Sequence, residues 1–236
     1  MKSQRRIVAL VAGLAVLGLS GSPTSAQTPA GAGQGQRGAG GPAAPAPAPT
    51  GPPTPSKLEI SEGTKARYKV QEQLVGIAFL SEAVGTTEAV TGTIMLGADG
   101  SINSSQSKLT VDLRTLRSDQ QLRDGYIQRA TLQTDTFPFL EFVPRRAVGL
   151  PSPLPASPRP QAVGFQLIGE MALHGVTSEV TWNVVATVTA DTVAGRATTT
   201  LLFSTLGLSK PSVPLLLSVD DKIQLEVEFK CKRTAL

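Results

Sequence analysis

Side chains able to do bond-making chemistry are scarce in this chain, which holds one histidine, His174, and one cysteine, Cys231. A hydrolytic triad would have to use His174 as its base. That residue opens the stretch His174-Gly175-Val176-Thr177 between two strand-like runs, where a histidine is expected to donate to a backbone carbonyl and fix a turn. Cys231 runs in phase with Ile223, Leu225, Val227 and Phe229, the apolar side of a last strand, so it reads as a small buried hydrophobe. One His and one Cys cannot build a zinc site without borrowing several acids. Asp220-Asp221 could attract calcium but precedes a strand, and reads as a solvated turn. Asp119, Asp124 and Asp135 surround a short helical segment, where one of them is expected to pair with Arg123 and organise the helix ends. Neither a G-x-S-x-G elbow nor a nucleotide-binding glycine fingerprint occurs. The reading is a non-enzyme, with no catalytic residue, metal or cofactor.

The elements around those residues are more telling. Leu109, Val111 and Leu113 alternate with Thr110, Asp112 and Arg114, the period of a half-buried strand. Ser118 stands three residues before Gln121, a capping-box spacing that predicts a helix start. Leu122, Tyr126, Ile127 and Ala130 then recur at helical spacing, Phe137-Pro138 is expected to end the run, and Phe139 to Val143 resumes as strand. The rest reads as β. Val90, Gly92, Ile94 and Leu96 share one face before an Ala98-Asp99-Gly100 turn. Phe165, Leu167, Gly169, Met171 and Leu173 share another, as do Trp182, Val184, Ala186 and Val188. Five prolines between Val148 and Gln161 forbid a paired strand and predict a long solvent loop. Several similar strands without crossover helices predict an antiparallel sandwich or barrel, and closure is favoured because it removes exposed edges.

The amino-terminal part has a different character. Lys2, Arg5 and Arg6 precede an apolar run from Ile7 to Leu19 and a small-residue stretch ending at Ala26. This describes a cleaved secretory signal over residues 1–26, whose apolar run is too short to span a bilayer, and predicts a periplasmic or secreted protein with no transmembrane segment once the signal is removed. Residues 27–56 are Ala, Pro or Gly at 22 of 30 positions, a composition that cannot bury a core and reads as a disordered, extended linker. The formal charge of +4 is misleading, because Lys2, Arg5, Arg6 and Arg37 all precede the folded part. Without them, 18 basic residues face 18 acidic ones over residues 57–236, which argues against a nucleic-acid partner. Those residues form one domain with a core of its own.

Taken in order, V-D-L-R-T-L, Arg123-Asp124, F-P-F-L-E-F, G-E-M-A-L-H-G-V-T-S-E-V, Leu206-Gly207-Leu208 and I-Q-L-E-V-E-F resemble the YceI-like family of exported lipid-binding proteins. The resemblance covers nearly all of Tyr68–Lys232. It departs from the family in lacking a histidine near Leu80–Glu82 and in the proline-rich loop at Leu150–Gln161. What it implies is an all-β, lipocalin-like extended antiparallel barrel with one or two short helices. Its apolar interior would hold a long-chain lipid such as a polyisoprenoid, for carriage or storage. Small Gly92 and Gly169 on the inward faces are expected to keep the interior open. The expected wall is Val111, Leu113, Tyr126, Ile127, Phe142, Leu167, Met171, Trp182, Val184, Leu201 and Phe203, with Arg123 at the mouth to meet an anionic or carbonyl head group, or else in an ion pair with a nearby Asp. Burying a methylene contributes about 0.8 kcal/mol. Some thirty carbons therefore offer more than about 20 kcal/mol gross, already near the practical ceiling of roughly 18–21 kcal/mol. Retention needs no polar recognition, so the head group is not legible at this level.

Two other readings fit the same residues. One is a structural or interaction barrel packed solid and without a ligand cavity, and a homodimer is compatible with either version. The other is an outer-membrane barrel, which would need an apolar outer face and an aromatic girdle. The Thr, Gln, Glu and Lys of the outer faces and ten aromatics in all speak against it.

Overall fold

The computed structural model describes residues 54–214 and 216–236. The expected signal and nearly all of the linker lie outside them. Among the described residues there are eleven strands: β1 (Ser56–Ile60), β2 (Lys65–Leu74), β3 (Ser81–Thr87), β4 (Val90–Leu96), β5 (Lys108–Asp112), β6 (Phe139–Val148), β7 (Gln161–Leu173), β8 (Val176–Val188), β9 (Thr192–Leu202), β10 (Leu216–Val219) and β11 (Lys222–Ala235). One short helix, α1 (Gln121–Tyr126), lies between β5 and β6.

Closure follows from the length of β11. Strands β1-β4-β5-β6-β7-β8-β9-β11 pair in that order, and β11 pairs back onto β1 through Ile60 opposite Cys231, giving a closed eight-stranded antiparallel barrel. The other half of β11 pairs with β2, placing Lys69 opposite Gln224, and β2 carries β3 and β10. Strands β1 and β2 thus lie end to end beside β11. The chain between them is satisfied locally: Thr64 Oγ1 donates to the Ser61 carbonyl at 2.9 Å and accepts from the Lys230 N–H at 3.1 Å.

Burial follows the alternation read from the sequence. Val180, Trp182, Val184, Ala186 and Val188 of β8 are buried, and the residues between them are exposed. The β7–β8 hairpin turns on His174 and Gly175, both at positive φ (51° and 76°), the two-residue turn whose twist matches a right-handed sheet. The His174 ring packs on Phe137 with centroids 4.7 Å apart, and its Nε2 is buried without a partner. Backbone conformation and ring contact, not the Nε2 atom, therefore hold this turn.

Charge decorates the outside. Arg67 reaches Glu226 at 2.9 Å and Glu228 at 3.1 Å, Lys69 reaches Glu226 at 3.3 Å, and Arg196 reaches Glu228 at 3.0 Å. Burial would raise the Glu226 carboxyl, but the bonds from Arg67 and Lys69 outweigh it and hold the group below the usual carboxylate range.

Three local expectations are corrected. Strand β5 ends at Asp112, one residue before Leu113, because the Asp112 carboxylate accepts from the Arg114 N–H and Nε at 3.0 and 2.9 Å and starts a 3-10 turn. The capping box does not form: Ser118 donates through its N–H and Oγ to the charged Asp124 Oδ1, at 2.8 and 2.6 Å. The helical stretch stops well before Phe137-Pro138. A wide π turn over Ile127–Thr131 follows α1, and Gln133 at φ 49° breaks it. Leu122 and Ala130 of the expected apolar face are exposed.

Candidate ligand-binding site

The inward faces do not meet. They enclose a cavity of about 950 Å³ whose wall runs from Leu150 and Leu154 at one end to Val213 and Pro214 at the other. A barrel plugged by its own side chains is therefore not what this sequence forms. The volume is at the upper end of the roughly 300–1,000 Å³ found for small-molecule pockets.

Each strand contributes by parity. From β11 come Ile223, Leu225, Val227, Phe229 and Cys231, and from β4 come Val90, Ile94 and Leu96. Burial pushes the Cys231 thiol up to about 12, which leaves it an inert wall residue. Val111, Leu113, Tyr126, Ile127, Phe142, Leu167, Trp182, Val184 and Phe203 all line the cavity, as does Arg123. Met171 and Leu201 do not, although both lie on inward-facing strand positions. Met171 is almost wholly buried between neighbours, and Leu201 packs against the core without reaching the void.

Gly92 and Gly169 do not widen the lumen. A Cβ on Gly169 would stand 2.3 Å from the Val143 carbonyl oxygen and 2.8 Å from the Phe142 ring, and one on Gly92 would stand 2.1 Å from the Lys108 carbonyl oxygen. These glycines let neighbouring backbone and one aromatic ring come close. The Phe142 ring, laid over Gly169, meets Trp182 edge-on with centroids 6.2 Å apart. Void arises instead from small wall residues, Ala66, Ala83, Ala147 and Ala197.

Strand β2 adds wall residues beyond the expected set. Ala66, Tyr68, Val70, Glu72 and Leu74 line the cavity at period two, a signal that was present but carries a glutamate in its middle. Glu72 is buried and accepts from Arg123 Nη2 at 2.8 Å, while Arg123 Nη1 pairs with Asp119. The ion-pair alternative for Arg123 is thus the one observed, with Glu72 of β2 added to the expected Asp. Tyr68 lies across Gly85, where a Cβ would come within 2.1 Å of its ring. The Tyr68 Oη and Trp182 Nε1 atoms are buried without hydrogen-bond partners.

The proline-rich loop is not a free solvent loop. Leu150 and Leu154 cap the cavity, Ser152 Oγ donates to the Asp99 carbonyl at 2.6 Å, and Arg233 donates to the carbonyls of Leu154 and Pro155. Prolines forbid strand pairing but leave carbonyls free as acceptors, which is how this loop is held. At the other end the cavity opens between α1, the β2–β3 turn and the segment before β10. There Val75, Ile77, Phe79, Leu80, Leu122, Val213 and Leu217 are exposed.

A closed antiparallel barrel around an apolar cavity, lacking any group of three or more potential metal ligands among the described residues, defines a lipid- or ligand-binding barrel of the lipocalin-like kind. The YceI-like domain model matches residues 61–231, and the chain belongs to that family of non-catalytic binding proteins. No curated protein matches the chain. Among solved structures, a polyisoprenoid binding domain from Saccharophagus degradans implicated in plant cell wall breakdown is 11% identical with a TM-score of 0.53, covering 76% of this chain and 98% of its own. The Campylobacter jejuni YceI protein is 14% identical with a TM-score of 0.51, over 68% of this chain and 88% of its own. Burkholderia cenocepacia BcnA is 11% identical with a TM-score of 0.50, over 71% and 95%. At these identities the likeness concerns the fold.

Proposed function

We propose that this chain is an exported protein that holds a long-chain lipid, foremost a polyisoprenoid, along the barrel interior for carriage or storage. The observation that carries the reading is the apolar cavity of about 950 Å³ extending from one end of the barrel to the other. At about 0.8 kcal/mol per buried methylene, such a wall retains an alkyl or prenyl tail without polar recognition. A signal over residues 1–26 and a charged outer surface suit a water-filled compartment outside the cytoplasm. The polyisoprenoid-binding domain of Saccharophagus degradans shares the fold, which supports the ligand class. A tail enters through the mouth and runs toward Leu154, because the proline-rich loop closes the far end.

Organic extraction and mass spectrometry of the mature protein, purified from its native host, tests this. The expected result is an isoprenoid near one per chain. Protein that is folded, lipid-free and unable to take up added isoprenoid would overturn it.

A further inference from the structure

Two uncharged stretches meet at the mouth. Residues 73–81 run from the end of β2 through the turn into β3, and residues 211–219 lead into and along β10, neither with a charged side chain. Leu74 lies opposite Leu216 where β2 pairs with β10. The Ser212 N–H donates to Tyr126 Oη at 3.5 Å, which ties the second stretch to the end of α1. Residues 75–80, Val-Gly-Ile-Ala-Phe-Leu, are all exposed, a run that a water-facing turn does not ordinarily carry. More than half of the large apolar side chains exposed among the described residues stand at this mouth, Phe79, Leu122 and Leu217 among them.

A patch of this kind marks a surface that meets something other than water, and its chemistry narrows what that is. The charges at the borders of the two stretches, Glu82, Lys210 and Asp220, are exposed and of mixed sign, so nothing here selects an acidic or a basic partner. Several backbone groups of the turns are satisfied within the chain. The Ile77 N–H donates to the Leu74 carbonyl at 3.2 Å, Gln73 Nε2 to the Ile77 carbonyl at 3.0 Å, and the Leu216 N–H to the Val213 carbonyl at 2.9 Å. Turns so bonded leave water at a lower cost, because an unsatisfied backbone group is expensive in an apolar medium. Val75, Ile77, Leu122 and Val213 are exposed at the rim and also line the cavity, so rim and wall form one apolar surface. A protein lid would shut the route by which a tail enters, whereas the apolar interior of a bilayer extends it. At the other pole Ser56 pairs with Ala235, and Arg233 Nε donates to Ser56 Oγ at 3.3 Å, so β1 begins and β11 ends away from the rim.

We infer that the rim is a membrane-docking surface, a role that rests on the lipid-carrier reading. The β2–β3 turn, Leu122 and the segment around β10 insert among the head groups of a lipid bilayer, and a lipid passes between membrane and cavity without crossing water.

The test floats the mature protein, free of the apolar run at residues 7–19, with phosphatidylcholine vesicles that carry geranylgeraniol. The protein is expected to float with them equally at about 0.1 M and about 0.5 M salt, because apolar insertion, unlike charge attraction, is not screened. Phe79→Ser combined with Leu217→Ser removes two rim side chains that do not line the cavity. Vesicle affinity should then fall about a hundredfold, about tenfold for each apolar side chain kept in water. Extraction of geranylgeraniol from the vesicles should slow at least about tenfold, while its uptake from vesicle-free solution and the melting temperature stay unchanged. Val185→Ser, at an exposed position on the outer face of β8, should leave flotation intact. Protein that takes up geranylgeraniol from solution but does not float overturns docking and spares the carrier reading, as does flotation that the double variant retains. A dimer seen by sedimentation and lost in the double variant, with no flotation, assigns the face to a second copy and likewise overturns docking. Folded protein that takes up no isoprenoid by either route sinks the carrier reading itself, and with it the passage of lipid, even where flotation persists.

Discussion

At the end of the barrel where β11 finishes, three loops are tied to one another through backbone carbonyls. Arg233 donates to Leu154, Pro155 and Thr189, Ser152 to Asp99, and the Ala190 N–H to Ser157. At the opposite end the segments around α1 leave a ring of apolar side chains in solvent, with Phe79 74% and Leu122 91% exposed. Both ends are irregular chain, yet one has been closed with polar contacts and the other left open with apolar ones. Sealing an apolar tube from water takes satisfied backbone groups over an apolar plug, here Leu150 and Leu154. Keeping the tube accessible requires that such bonds be withheld. The contrast gives the cavity a direction.

Four measurements would break or sharpen that contrast. The largest effect is expected midway between the ends. Ala197→Trp should occupy the space of about four methylenes and lower lipid affinity roughly a hundredfold at about 0.8 kcal/mol each, with little loss of stability because the side chain enters a void. Titration with an isoprenoid alcohol reads this, and unchanged affinity would show that the lipid lies elsewhere. Arg233→Ala should open the sealed end. Loss of a charged donor to buried carbonyls costs about 2 kcal/mol, and at roughly 2–4 °C per kcal/mol for a domain of this size the melting temperature falls several degrees. New proteolytic cleavage between 149 and 160 should accompany it.

Acid comes next. Glu226 and Glu228 are held below their ordinary range, the first against its burial by Arg67 and Lys69, the second by bonds from Arg67 and Arg196. Folded-state depression means that their contribution is fully present above the unfolded carboxylate pKa and lost as pH falls through the lower folded values. The melting temperature should therefore be flat from neutrality to about pH 5 and decline below about pH 4. Arg67→Met should reduce that decline. The smallest effect belongs to the mouth: Leu122→Ala should change stability by less than about 0.5 kcal/mol, in contrast to Arg233→Ala. A larger loss would mean that the rim packs against something in solution.

Legibility in the sequence differs by element. The walls were legible: the alternation in β7, β8 and β11 named their inward residues, because strand parity is a local property with a period of two. Even there, parity could not say that Met171 would be swallowed by its neighbours or that Gly169 would give its space to Phe142. The helical segment departs from its sequence pattern at both ends, since Asp124 outcompetes the capping pattern for Ser118 and a left-handed Gln133 stops the run. Glu72, the partner of Arg123, is not legible in the sequence because a glutamate inside an alternating strand reads as a breach of pattern until the other half of its ion pair is in place.

Sequence alone determined the class of the molecule: strand periods, the family motifs, and the want of any catalytic or metal-binding set. Tertiary structure alone decided that the inner faces stand apart, that a proline-rich loop seals one end, and that Arg123 is spoken for while Tyr68 is not. The physical reason is range. Which way a side chain points depends on its nearest neighbours along the strand, but whether it meets another side chain, a void or a counter-ion depends on strands scores of residues away that only closure brings together.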